Sequence, residues 1–244
     1  MSSAVESILS DLAAVEQDRN QRRLDPSFGK RVAAIKAFQQ MRFRRTYADL
    51  LDSPRYRRAA TFFLDELYGP MDFSQRDAQF ARIVPTLVRL FPADVVEVVR
   101  TLARLHALSE SLDSEMAAHL GREEMLDAHS YVRAWIATGR AADRNTQVDL
   151  TVHTATALDV LTSKALVRNS LRLMRAPERA AGLGQLQRFL ESGFDAFRDM
   201  RGASEFIETL KSRESTLAKD LFAGNAGGLD PAAGGNVVQG KGSR

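Results

Sequence analysis

Cysteine is absent from this chain of 244 residues. That excludes disulfides, thiolate zinc sites, cysteine-ligated iron–sulfur clusters and a cysteine nucleophile. Long apolar runs are missing too, since no segment approaches the ~20 uncharged apolar residues that a membrane span requires. The opening stretch, MSSAVESILSDL, carries Glu6 and Asp11 and has no basic segment leading into an apolar one. A cytoplasmic location is therefore expected. Period-two alternation of apolar and polar residues is also absent, as is any repeat of fixed length, which favours neither sheet nor solenoid.

Signatures of chemistry are equally scarce. The chain has no GxSxG, no P-loop, no His-Glu-x-x-His and no haem-attachment motif. It lacks the helical Glu-x-x-His pair of carboxylate-bridged metal sites. Its Ser, His and Asp residues follow no recognisable triad order, although a triad is a spatial arrangement. No helix-turn-helix, RNP or zinc-finger pattern supports sequence-specific nucleic-acid recognition.

What is present is helical periodicity almost throughout. Ser3 and Glu6 form a capping box for a first helix that places Val5, Ile8, Leu9 and Leu12 on one face. Asp25-Pro26-Ser27 starts a second, over about 28–52, with Phe28, Val32, Ile35, Phe43, Tyr47 and Leu50 on one arc. Ser53-Pro54 opens a third that runs to Leu67, and Gly69-Pro70 ends it. Ser74 then caps another helix with Asp77 at N3, and Pro85 and Pro92 bracket a short turn. Long helices follow over about 93–120, 122–138 and 146–175, then one through Leu183, Leu186, Leu190, Phe194 and Phe197, and a last over about 203–222. Residues 223–244 are rich in Gly and Ala and read as a flexible tail. The expectation is an all-α bundle of about eight to ten helices over 1–222, with no strong domain boundary.

The stretch FFLDELYGPMDFSQRDAQFARIVP, residues 62–85, resembles a bacterial all-helical family, a domain of unknown function, that carries FFLxxLYGPxDFxxRDxxxxRxxP. The run MRAPERAAGLGQLQRFLESGFDAFRDMRGASEFIETL, residues 174–210, is similar to that family's C-terminal block. The resemblance implies a helical bacterial protein and brings no activity, cofactor or site residue with it. Within the first block, Tyr68, Asp72 and Arg76 have no obvious packing task, and they either form a small recognition patch or lock a helix–helix corner.

Charge offers one functional reading. Residues 19–58 hold twelve Lys/Arg against three acids, a local +9 that leaves −6 for the rest of a chain with net charge +3. Lys30, Arg31, Arg42, Arg44 and Arg45 lie mostly opposite the apolar arc, and Arg55, Arg57 and Arg58 extend the patch. Such a face suits an acidic protein partner or nucleic-acid phosphates, so a binding module is expected rather than an enzyme. A homo-oligomer is compatible with the pattern.

The alternative reading starts from histidine. His106, His129 and His153 each fall on the apolar arc of a different helix, and if the arcs converged they could hold a metal or a haem iron. Without convergence no cofactor is expected. Glu110 and Asp113 stand one and two turns beyond His106, where they could serve as ligands or orient them. Asp113 and Lys164 both fall within inward-looking stripes, and a buried charge needs a partner, so a polar pocket in the core is expected if both point inward.

Overall fold

The computed structural model describes residues 3–66, 71, 73–121, 126–164 and 183–229. Among them the chain forms ten α-helices and no strand: α1 Ser3–Leu24, α2 Pro26–Thr46, α3 Ala48–Asp52, α4 Arg57–Glu66 and α5 Ser74–Leu90, then α6 Ala93–Ala118, α7 Ala128–Thr138, α8 Ala141–Thr162, α9 Gly184–Met200 and α10 Ser204–Phe222.

Local chemistry explains many of the boundaries. Asp25 accepts from the Phe28 amide at 3.0 Å while Pro26 occupies the first helical position, so α2 starts at once after α1. Asp127 and Ser130 cap α7 reciprocally, and Gly139, with φ 64°, ends it in the left-handed conformation.

Several predicted boundaries shift. The helix expected over 28–52 is interrupted at Tyr47, whose ring is fully buried and whose hydroxyl donates to Glu214 at 2.8 Å. Arg213 takes up the Thr46 carbonyl at 2.6 Å, so the break leaves that acceptor satisfied. Pro85 does not stop its helix. It lies exposed inside α5, while the buried Val84 and Leu87 anchor the chain on either side of it. Ser74 is the first helical residue rather than the cap, and α5 begins without a side-chain cap. Within the predicted tail, Leu229 is buried and belongs to the core group formed by α2, α6, α7 and α10; residues 230–244 lie outside the described residues.

α6 is the axis of the assembly and packs against α1, α2, α5, α7 and α8. One core group joins the α2–α4 corner to α9 and α10 through Phe43, Tyr47, Phe63, Phe197, Met200 and Phe206. A second joins α2, α6, α7 and α10 around Ile35, Met116, Trp135 and Leu221. A third, with Ile8, Leu12, Val84 and Val99, joins α1, α5 and α6. Between these groups, along one side of α6, apolar packing gives way to charge.

Candidate functional site

Helical spacing puts His106, Ser109, Glu110 and Asp113 on one stripe of α6. Facing that stripe are Arg19 and Arg22 of α1, Lys36 and Gln39 of α2, Arg76 and Asp77 of α5, and Gln147 of α8. Many of these side chains border a cavity of about 100 Å³.

Two ionic knots form its walls. Asp77 accepts from Arg19 at 2.6 Å and from Arg76 at 3.3 Å, and its Oδ2 lies 2.8 Å from Nε2 of His106. Burial alone would raise the Asp77 carboxyl, but the His106 contact and the two arginines hold it far below the usual carboxylate range. Glu110 accepts from Arg22 at 2.5 Å and also binds Lys36. Against the cost of burial, Lys36, Arg22 and His106 bring its pKa down to about 2.

Asp113 differs from both. It is 6% exposed, and Nε2 of Gln39 donates to its Oδ1 at 2.9 Å. No other hydrogen bond to this carboxyl is formed among the described residues. Burial pushes its pKa up, with Lys36 and Arg144 opposing and Glu110 adding to the rise. Two carboxyls one turn apart on α6 are thus driven in opposite directions, which is how an acid and a base are set side by side.

A second cavity, of about 120 Å³, adjoins the first and shares Val99, Leu102, Leu105, Thr151, Phe189 and Leu190 with it. Its remaining walls are almost wholly apolar, with Phe62, Leu158 and Phe194 among them. Thr154 lines it too, and its hydroxyl is buried with no hydrogen-bond partner among the described residues. Gly193 admits the Phe62 ring, since a Cβ there would stand 2.9 Å from its Cζ.

The residues singled out by sequence separate accordingly. His106, Glu110 and Asp113 meet at the polar cavity. His129 and His153 are exposed, so the three imidazoles do not converge. Among the described residues no group of three His, Cys, Asp or Glu side chains is placed to hold a metal ion. Lys164 is exposed and paired with Asp94 rather than inward, while Asp113 bonds Gln39, so Asp113 pairs with neither Lys164 nor His106. Arg76 is buried between the rings of Phe73 and Phe189, 4.0 and 4.5 Å from their centroids, and ties Asp77 to Glu66 across the corner. Tyr68 and Asp72 lie outside the described residues.

Much of the basic face is engaged internally. Arg42 is buried, not outward, and grips Glu214 with both terminal nitrogens at 2.5 and 3.1 Å. Arg31 donates to the Ala117 carbonyl at 3.1 Å. Arg55 reaches the Met200 and Gly202 carbonyls, both at 3.0 Å. Arg57 donates to the Leu51 carbonyl at 3.0 Å, and Arg58 pairs with Asp195 and Asp199. Lys30, Arg44 and Arg45 remain exposed with no ion-pair partner among the described residues.

The family model described as "Domain of unknown function (DUF8198)" matches residues 18–228. The chain belongs to this family. The matched region runs from the end of α1 through α10, and therefore contains every residue of both cavities except Leu12. No curated protein and no solved structure matches the chain significantly.

Reading the sequence along its length missed Arg19, Arg22, Lys36, Gln39, Asp77 and Gln147 as site residues. Asp77 is accounted for locally by the dipole of its own helix, and its partners are 29 and 58 positions away. The one available signal was three polar residues, His106, Glu110 and Asp113, on an otherwise apolar arc.

Proposed function

We propose that this protein binds a small amphiphilic molecule inside its helical bundle. The ligand's polar group lies beside Asp113 and its apolar part among Leu102, Leu158 and Leu190. The observation that carries this reading is the junction of two unlike cavities, one lined by charge and one by hydrocarbon, across a shared wall. Binding sites combine an apolar body with a few convergent polar groups in the same way. The size is appropriate, since a cavity of about 150 Å³ lined by apolar side chains accepts benzene. A core that only needed filling would gain from larger side chains at these positions, because voids cost stability.

Thermal unfolding with short amphiphiles of each charge type tests the reading. A ligand that binds only the folded state raises Tm with concentration. Leu102→Trp, which fills the shared wall, is expected to abolish that rise while the protein stays folded. If no amine, alcohol or carboxylate of four to eight carbons raises Tm, the reading fails.

A second reading keeps the basic face as a contact for an acidic protein or nucleic acid, in a cytoplasmic setting. The exposed Lys30, Arg44 and Arg45 support it. They are three of the eight cations assigned to that face, which is why the cavity reading is preferred.

A further inference from the structure

We infer that the ligand is a small amine bearing a short alkyl or aromatic group, its ammonium held by Asp113 and its apolar group in the hydrocarbon-lined cavity. This rests on the cavity reading above and names the chemistry of its ligand.

The argument is one of pairing. Asp77 has two arginines within 3.3 Å, and Glu110 has Arg22 and Lys36. Glu66 has Arg76 at 3.2 Å. Among the described residues, Asp113 alone of the carboxyls bordering the polar cavity has no cation bound to it, only the neutral amide of Gln39. A buried carboxyl left in this condition is costly unless it takes up a proton or meets a cation. One oxygen of a side chain that is 94% buried is thus left to the cavity, without a partner among the described residues.

Its neighbours cannot complete the pair from within. Lys36 is committed to Glu110. Arg144 spends its guanidinium on Gln147 Oε1 at 3.0 Å, on the Met116 sulfur and on the face of Trp135. The amide of Gln147 donates to Ser109 Oγ at 2.8 Å, which fixes both groups with oxygen lone pairs to spare. An ammonium carries three donors, and Asp113, Ser109 and Gln147 offer acceptors for them along the same wall. A carboxylate ligand would find both lining cations, Lys36 and Arg76, already bound to acids.

Protonation gives a check that needs no substitution. The ionisable groups near Asp113 are Lys36 on α2, Glu110 on α6, Tyr131 on α7 and Arg144 on α8, and His106 of α6 borders the same cavity. Burial favours the neutral carboxyl, so an amine must bind in competition with a proton. Amine affinity should therefore rise as pH climbs from the ordinary carboxylate range towards neutrality and above. Ammonium itself is lost only near pH ~10, the range of lysine.

Calorimetric titration of the full-length protein with hexylamine and benzylamine, against hexanol and hexanoate, decides the matter. The expected result is amine binding at least tenfold tighter than alcohol binding at pH 8. In Asp113→Asn, which keeps the Gln39 bond, amine affinity falls at least tenfold and the preference for amine over alcohol is lost. If hexanol or hexanoate binds as tightly as hexylamine, or amine affinity is flat with pH, the amine inference is overturned and the cavity reading stands. If none of the four binds, both fall.

Discussion

Asp113 and Thr154 are polar groups whose positions cost stability, and each permits a measurement on the ligand-free protein. A carboxyl whose pKa is raised by the fold weakens the fold at pH values above its ordinary range, because ionisation is easier in the unfolded chain. Burial raises Asp113 in this way. Asp113→Asn should therefore be more stable than the parent at pH 7. The gain should vanish near pH 3, where the carboxyl is neutral in both states. Urea unfolding at the two pH values reads both, and a destabilised variant at pH 7 would show that the carboxylate is structurally required. Glu110 acts in the opposite direction. With its pKa lowered to about 2, it adds stability above its ordinary range that is lost as pH falls towards that value. Thr154 has a buried hydroxyl without a partner among the described residues, and an unmet hydrogen bond of this kind costs about 1–3 kcal/mol. Thr154→Val keeps the shape and removes the hydroxyl, so Tm should rise; a fall would mean that an ordered water satisfies the group.

Among the helices, α2 shows how tertiary contacts override an amphipathic reading. Its apolar arc points into the bundle, with Phe28, Val32, Ile35 and Phe43 buried. Gln39 and Arg42 are also buried, because α2 has neighbours on more than one side. Arg42 reaches Glu214 on α10, whose side chain is only 12% exposed. Arg42→Ala would leave that carboxylate buried without a cation, held only by the Tyr47 hydroxyl, a change that costs about 3–5 kcal/mol. Arg44→Ala, two positions away on the exposed side, should stay within about 0.5 kcal/mol. Comparable losses from the two substitutions, measured by chemical denaturation, would contradict this assignment of faces. The α4–α5 corner obeys the same logic. Arg76 stands one residue from the helix N-terminal aspartate, yet its stacking between Phe73 and Phe189 and its bond to Glu66 tie α4, α5 and α9 together.

Across the full chain, the split between a basic N-terminal segment and an acidic body is mostly an internal matching of charge. Arg19 meets Asp77, Arg22 and Lys36 meet Glu110, Arg42 meets Glu214, and Arg58 meets Asp195 and Asp199. The segment is bound to α5, α6, α9 and α10 by these pairs, so little of its charge is left for a partner. Each cation neutralising a phosphate contributes about −0.9 to the slope of log affinity against log salt on duplex DNA. With Lys30, Arg44 and Arg45 as the remaining contacts, that slope should be no steeper than about −3. A slope near −6 or beyond in a filter-binding titration would restore the basic face as a nucleic-acid surface.

Periodicity, caps and the lack of alternation determined the helical class, because they depend on residues within one or two turns of each other. The core faces of α1, α2 and α9 were legible for the same reason. The convergence of histidines was not, since His129 and His153 lie close enough to the edge of their arcs for a small rotation to put them in solvent. Arg42 was misplaced because a helix with several neighbours has more than one buried side. The site itself was decided by tertiary structure alone. Which carboxyl meets a cation depends largely on contacts far apart in the chain, such as His106 with Asp77, 29 positions away, and Arg42 with Glu214, 172 away. Sequence placed Asp113 among inward-facing residues of α6, but only the packed bundle shows that every other described acid bordering its cavity has been given a cation.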